Sequence, residues 1–163
     1  MKKIFSSLIC LILASSSSFA SQKELKQELI EAKNFAKSKG DSKIFSGEVQ
    51  ISEMFKANAW QGFSAGLVEF SPRARSAWHT HPAGQTLIVT KGVIVTGTEQ
   101  GIVQVAYEGD VILCPPNLKH WHGAGENEGG SHLALTHSKD GKNVFWLEKV
   151  SDEEYQEALK KIK

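Results

Sequence analysis

The chain has 163 residues, with 19 Lys and Arg, 18 Asp and Glu, and a formal net charge of +1. This balance argues against a basic nucleic-acid-binding protein, and the length allows one domain instead of two. No run of about 20 apolar residues is present, so we expect no transmembrane helix. Hydrophobic residues make up 40% of the chain, which is typical of a folded domain with a core.

The first 20 residues have the pattern of an export signal. Lys2 and Lys3 form a basic head, residues 4–14 are largely apolar, and Ser18-Phe19-Ala20 fits the small-x-small cleavage rule. We therefore predict a signal peptide over 1–20, cleavage after Ala20, a periplasmic or secreted protein, and no membrane contact after cleavage. Cleavage would leave Cys114 as the one cysteine, which excludes an intramolecular disulfide and suggests buried packing.

The rest of the chain falls into three predicted parts. Helical spacing of Leu25, Leu29, Ala32 and Ala36 predicts a helix over 22–39, within an N-terminal helical extension over 21–44. From Phe45 to residue 150, short apolar runs alternate with Gly, Pro and Asn at intervals that indicate an all-β sandwich or barrel. We also predict a C-terminal helix over residues 151–163.

The predicted strands and the last helix have specific bounds. Ser151 is a plausible N-cap with Glu154 three residues later, which is the pattern of a capping box. The apolar runs that we interpret as strands are Glu48–Ile51, Gly62–Phe70, Thr86–Thr90, Val93–Thr98, Ile102–Val105, Val111–Cys114, His132–Thr136 and Val144–Glu148.

Histidines carry the strongest chemical signal. His79 and His81 are two residues apart, so in a strand their side chains share one face. Gln85 follows and offers an amide oxygen, and His120 follows a proline turn that places it at the start of the next strand. Imidazole and amide ligands suit a divalent first-row metal such as Mn, Fe, Ni or Zn.

These residues resemble the two cupin motifs. The first motif matches in spacing as His79-Thr80-His81, three residues, Gln85, six residues and Gly92; the second matches as Gly109, five residues, Pro115-Pro116-Asn117, two residues and His120. Four positions depart from the family pattern. Arg73 and Asn117 replace glycines, Gln85 replaces Glu, and Ala124 replaces Asn. The resemblance implies a cupin fold, which is a double-stranded β-helix or jelly-roll barrel, over residues 45–150.

Three segments resemble a narrower group of small cupins: residues 77–90, residues 119–124 and residues 146–153. This group contains cupins associated with carboxymuconolactone decarboxylases and the bacterial manganese-dependent hydroxynitrile lyases, which cleave (R)-mandelonitrile to benzaldehyde and cyanide. The resemblance implies the metal ligands His79, His81, Gln85 and His120, with Mn(II) as the favoured metal. The chain departs from these lyases at Thr136, where a Gln is expected.

The resemblance also implies that His122 and His132 line the pocket. Two imidazoles beside a metal would supply a general acid and a general base. One would accept the hydroxyl proton of a cyanohydrin, and the other would stabilise or protonate the leaving cyanide. The alternative is that both only form hydrogen bonds in the barrel wall. His137 follows on the opposite strand face and is predicted at the surface.

Several neighbouring residues have less specific interpretations. Trp78 and Trp121 alternate with the ligands, so we expect them to face away from the metal and to pack against a second sheet or a partner subunit, as in a homodimer. Arg73 and Arg75 precede the first motif, where solvated loop charge is favoured over binding of a substrate carboxylate.

Three functions remain in competition. The first is a metal-dependent lyase acting on a small hydroxyl or carbonyl compound, with hydroxynitrile lyase as its most specific form; the same acid–base pair would also serve an isomerase or a dehydratase. The second is an Fe(II)- and O₂-dependent dioxygenase, which the lack of a carboxylate ligand disfavours. The third is a cupin that binds a metal or a small ligand without turnover. The fold alone does not decide among them.

Overall fold

The structure is a computed structural model that describes residues 26–162. The predicted signal peptide over 1–20, its cleavage site and the first residues of the predicted N-terminal helix lie outside the described residues. Within residues 26–162 the chain forms 12 strands and one α-helix, preceded by a single 3₁₀ turn at Ala32–Asn34.

The strands account for the architecture, and all of them except β1 lie within the predicted cupin range. Their bounds are β1 Ala36–Lys39, β2 Phe45–Ser46, β3 Val49–Phe55, β4 Phe63–Phe70, β5 Arg75–Ser76, β6 His79–Thr80, β7 Gln85–Thr98, β8 Val103–Tyr107, β9 Val111–Cys114, β10 His120–Ala124, β11 Gly130–His137 and β12 Phe145–Trp146.

The strands form one curled antiparallel sheet with the order β1-β3-β4-β11-β7-β10-β5-β2. The long strand β7 links its two halves, because its first part pairs with β11 and β9 and its second part pairs with β10 and β8. Gly92 lies between these parts at φ 63°, a left-handed conformation that glycine adopts without steric cost. The sequence predicted two strands here; they are one strand that changes pairing partners near Gly92.

The N-terminal helix prediction is wrong for the residues that the structure describes. Residues 36–39 pair antiparallel with β3, from Ala36 opposite Glu53 to Lys39 opposite Gln50. All four residues of β1 are exposed, so no apolar stripe packs on the sheet. The helical pattern covers few residues, and an isolated helix of this length is only marginally stable. The edge of β3 instead offers backbone hydrogen-bond partners to residues 36–39.

The C-terminal helix is confirmed as α1, Asp152–Lys160, with both hydrogen bonds of the capping box between Ser151 and Glu154. It packs on the outside of β10, where Tyr155 and Leu159 join Trp121 in a buried cluster. The Tyr155 hydroxyl donates to the Ala124 carbonyl at 2.8 Å. In residues 26–162, no helix combines the length and apolar character needed to cross a membrane.

A second buried cluster lies between the sheet halves, and it closes one side of the barrel beneath the histidines. Its members are aromatic and aliphatic residues of β2 to β10 and their connections: Phe45, Val49, Phe70, Ala74, Val89, Ile94, Ala106 and Ala124.

Candidate metal centre

Strand pairing brings the two histidine motifs together. His79 in β6 is directly opposite His120 in β10, and the two ring centroids are 4.3 Å apart. His81 follows β6, and its ring centroid is 5.0 Å from that of His79 and 5.6 Å from that of His120. Gln85 begins β7 and lines the same cavity. The structure therefore brings these four residues close together, and their binding of a metal stays a prediction.

Each of the three histidines is oriented by a main-chain carbonyl. Nδ1 of His79 lies 2.9 Å from the Ala77 carbonyl oxygen. Nδ1 of His81 lies 2.6 Å from that of Asn143, and Nδ1 of His120 lies 2.9 Å from that of Leu118. Since a carbonyl oxygen only accepts, Nδ1 is the protonated nitrogen in each ring. The lone pair is then on Nε2, as a metal ligand requires.

Unsatisfied buried atoms identify where a cation fits. Nε2 of His81, Nε2 of His120 and Oε1 of Gln85 are buried without a hydrogen-bond partner. Buried polar atoms normally have partners, and imidazole nitrogens and an amide oxygen without one are atoms that a divalent cation can satisfy. These residues therefore fit a metal, and they are three of the four ligands that the sequence predicted.

A second group of three close histidines overlaps with the predicted ligands. One ring nitrogen each from His79, His120 and His122 lies within 4.8 Å of the others, so these three could hold an ion. His122 differs from the other rings because its Nδ1 is 3.0 Å from Nε2 of His132 and not from a carbonyl. Its tautomer is therefore not fixed by the backbone, and the predicted ligand His81 better satisfies the ligand chemistry.

Burial keeps the clustered imidazoles neutral at physiological pH. Desolvation lowers the pKa of His81 and of His132 to about 4. It also lowers the pKa of His120, and it places those of His79 and His122 well below the usual histidine value, with further lowering from neighbouring histidines. Neutral imidazoles are the form that binds a metal.

The cavity beside the histidines has a volume of about 530 Å³ and is lined mainly by apolar side chains. Trp146 was given no role by the sequence, yet its ring centroid is 4.8 Å from that of His79 and 5.7 Å from that of Phe45. Trp146 lies in the predicted strand Val144–Glu148, but the local pattern does not show that β12 pairs with β6 and so places Trp146 beside His79. The aliphatic and aromatic lining residues are Phe45, Ile51, Phe55, Ala57, Ala65, Val68, Ala134, Val144 and Trp146.

His122 and His132 occupy different positions relative to this cavity. His122 lines it, whereas His132 is 0% exposed and lies behind His122, against the Phe70 ring. The prediction that both line the pocket is therefore met by His122 alone. His132 contacts the cavity through its hydrogen bond to His122.

Comparisons with known proteins show the family of this chain. A family model described as a cupin domain matches residues 66–136. A protein of Granulicella tundricola named (R)-mandelonitrile lyase is 45% identical over 121 residues, which are 74% of this chain and 92% of that protein. This chain belongs to the cupin family.

Solved structures support the same family and fold. A cupin-like protein from Thermotoga maritima is 36% identical, with a TM-score of 0.70 over 74% of this cupin and 92% of that chain. A polyketide cyclase from Streptomyces resistomycificus is 14% identical, with a TM-score of 0.60 over 80% of this cupin and 92% of that chain, and it shows the fold alone.

Two departures of this cupin from the family motifs have a structural explanation. Arg73 and Asn117 stand where the motifs carry glycine, and both have the positive φ that glycine would supply, at 67° and 63°. Asn adopts this region with little strain, while Arg73 does so less readily. Arg73 makes an ion pair with Glu126 and donates its backbone N–H to the Gly125 carbonyl, which holds the turn.

Arg75 is not a solvated loop residue. It is 5% exposed, it donates from Nε and Nη2 to the Val150 carbonyl, and it lies over the Tyr155 ring at 4.8 Å. It also pairs with the exposed carboxylate of Asp152 at 2.7 Å. Arg75 therefore attaches the C-terminal helix to the barrel and is not placed to bind substrate.

The remaining predicted residues divide between surface and core. Trp121 and Trp78 face away from the histidine cluster as predicted, and in the described residues they pack against the C-terminal helix instead of a second sheet. His137 is exposed, as predicted, and its ring contacts Phe63. Cys114 is buried, and burial raises the pKa of its thiol to about 11. The homodimer stays a prediction.

Proposed function

We propose that this cupin is a metal-dependent lyase that cleaves a small hydroxynitrile into a carbonyl compound and cyanide. The observation that carries the proposal is the set of buried, unpartnered acceptor atoms on His81, His120 and Gln85. Of these residues, His81 and Gln85 line an apolar cavity together with His79. The relative named (R)-mandelonitrile lyase supports this reaction, since this chain covers 92% of it at 45% identity.

The ligands in this proposal are His79, His81, Gln85 and His120, and the metal is Mn(II), with Fe(II), Ni(II) or Zn(II) as alternatives. A bound divalent cation would supply Lewis acidity that makes a nearby hydroxyl proton easier to remove. All four donors are neutral, so the protein contributes no negative charge that would offset the charge of the cation.

His122 is the residue that exchanges protons with the substrate. Its Nδ1 is committed to His132, so Nε2 is the nitrogen available to the cavity. With the Nδ1–H donating to His132, His122 Nε2 accepts the hydroxyl proton. The C–CN bond then breaks, its electron pair leaves with cyanide, and the carbonyl double bond forms. His122 Nε2 returns the proton to cyanide, while His132 stabilises the charged imidazole.

The apolar part of the cavity gives the substrate its orientation. Phe45 and Trp146 meet edge to face at 5.7 Å, and Val68 lies across the same cavity. An aryl group of an aromatic hydroxynitrile fits against this wall, and its hydroxyl then faces the histidines. Burial of the aryl group also limits water around His122, which favours proton transfer to the substrate.

The test is release of benzaldehyde from racemic mandelonitrile. We expect stereoselective cleavage by Mn(II)-loaded protein, loss of cleavage after chelation, and recovery when Mn(II) returns. A His122→Ala variant that binds Mn(II) should be inactive, while His137→Ala, which changes an exposed histidine outside the cavity, should retain activity. Turnover that required O₂ would favour a dioxygenase, and absence of cleavage by fully loaded protein would contradict the lyase.

We also propose that the protein acts outside the cytoplasm, in the periplasm or after secretion. The basic head at Lys2 and Lys3, the apolar stretch over 4–14 and the small residues before Ser21 support this location. Mass spectrometry of the protein from cell fractions should find a chain that begins at Ser21. A cytoplasmic chain that retains residues 1–20 would contradict it.

A further inference from the structure

Gln85 has a side-chain hydrogen-bond partner on the neighbouring strand β11. Its Nε2 donates to Oγ1 of Thr136 at 3.2 Å, and its Oε1 is the buried acceptor without a partner. The two residues are directly opposite each other, Gln85 in β7 and Thr136 in β11. Both are buried and both line the cavity.

The amide of Gln85 can present either of its ends to the histidines. Only the oxygen end can bind a cation, because the amide nitrogen carries two hydrogens and has no available lone pair. When Oε1 faces the histidines, Nε2 necessarily faces β11 and needs an acceptor there. The hydroxyl of Thr136 supplies that acceptor, so in the ligating orientation the buried Nε2 has a hydrogen-bond partner.

We infer that Thr136 is a positioning residue for the metal centre, which holds the Gln85 amide with its oxygen directed at the metal through the bond from Nε2 to Oγ1. This inference rests on the proposed metal-dependent function. Partners that orient metal ligands typically affect metal affinity by about 10- to 100-fold. The neighbouring Ser64 supports the position of Thr136, because its hydroxyl donates to the Thr136 carbonyl at 3.3 Å.

Thr136→Val tests the hydroxyl alone, because valine is close in shape to threonine and lacks the hydroxyl that accepts the bond from Gln85. We expect it to weaken Mn(II) binding by about 10- to 100-fold, measured by titration of the free Mn(II) signal in electron paramagnetic resonance. Thr136→Ser keeps an acceptor and should retain most of the affinity. A matched control is Thr90→Val, because the Thr90 hydroxyl bonds Ser131 away from the cavity and its loss should leave Mn(II) affinity unchanged.

A double-mutant cycle separates positioning from a general structural effect. In a Gln85→Ala background the amide is absent, so Thr136→Val should have no further effect on Mn(II) affinity. Equal weakening by Thr136→Val in both backgrounds, or none in the unmodified protein, would overturn the inference while leaving the metal centre intact. Failure of the unmodified protein to bind Mn(II) at all would overturn the inference and the proposed function together. Thermal unfolding of each metal-free variant reports whether the barrel is preserved.

Discussion

His132 stands behind His122 as its hydrogen-bond partner, with Nε2 of the first 3.0 Å from Nδ1 of the second. Of the two, His122 lines the cavity and His132 is wholly enclosed. The two imidazoles therefore differ in their access to a substrate. In the proposed mechanism, His122 exchanges a proton with the substrate, and His132 fixes the ring of His122 and shares its charge.

Removal of His132 should therefore reduce turnover and leave the metal in place. For His132→Ala we expect unchanged Mn(II) content and a fall in kcat of about 10²- to 10⁴-fold, the usual range for general acid–base assistance. Benzaldehyde release and metal analysis on the same sample measure both. His137→Ala changes an exposed histidine of the same strand and serves as the control. Parallel loss of metal and activity would show instead that His132 supports the metal centre.

Metal binding should stabilise the fold, because the unpartnered acceptors of the cavity wall are satisfied in the folded state alone. At a free Mn(II) concentration 100-fold above Kd, the free energy of unfolding should rise by about 2.7 kcal/mol. Urea unfolding with Mn(II) and with a chelator measures this difference. His120→Ala should abolish it, and His137→Ala should preserve it. An equal increment in both variants would locate the binding elsewhere.

The metal-free protein should lose stability as the pH falls below neutrality. His81 and His132 have a folded-state pKa of about 4 against an ordinary value of 6.5, so the unfolded chain takes up their protons first. Their stabilising contribution is complete above pH 6.5 and is lost as the pH falls towards 4.

Over that interval His132 alone should account for about 3 kcal/mol, at about 1.36 kcal/mol per pH unit. Urea unfolding of metal-free protein at several pH values between neutrality and 4 measures the slope. His132→Gln removes one of the groups and should make the slope shallower. A free energy of unfolding that stays level or increases as the solution becomes acidic would be incompatible with buried neutral histidines.

Arg75 should be important for stability and not for chemistry. Arg75→Ala leaves the Val150 carbonyl without its buried donor, so we expect a loss of about 1–3 kcal/mol in the free energy of unfolding. Asp152→Asn should cost much less, because that carboxylate is 80% exposed and solvent screens the pair. Chemical denaturation compares the two variants. Similar losses of stability in both variants would show that the ion pair with Asp152, and not the hydrogen bonds to the Val150 carbonyl, provides the stabilisation.

Trp146 should determine the preference for aromatic substrates. For Trp146→Ala we expect the preference for mandelonitrile over acetone cyanohydrin, as a ratio of kcat/KM, to fall roughly 2- to 10-fold, which corresponds to an aromatic contact of about 0.5–1.5 kcal/mol. Trp60→Ala is the control, since Trp60 is 82% exposed and does not line the cavity. Equal changes for both substrates would argue against an aryl contact.

The sequence predicted most accurately the features that depend on residues close together in the chain. The strand Val111–Cys114 and the capping box of Ser151 and Glu154 were predicted with the bounds or partners that the structure has. The shared position of His79 and His81 also follows from their local spacing, whereas His120 joins them through the pairing of β6 with β10. Local hydrogen bonds and alternation of side chains were sufficient for the local predictions.

Long-range pairing explains what the sequence missed. Residues 36–39 have helical spacing but form a strand because the edge of β3 is open to them. Trp146 reaches the metal site because β12 pairs with β6, which places it opposite His79. Arg75 is buried because a helix more than 70 residues later folds over it. None of these partners is evident within a local window of sequence.

The acceptors that orient His79, His81 and His120 are all main-chain carbonyls. Every residue type has a main-chain carbonyl oxygen, whichever side chain stands at positions 77, 118 and 143. The orientation of the three imidazole rings therefore depends on the backbone and not on these side chains. Divergence among descendants of this protein can alter the surroundings of the predicted ligands through side chains, for example at the amide–hydroxyl pair and the imidazole pair. A change of metal preference or reaction in evolution would then begin at one of these pairs, with the rest of the barrel unchanged.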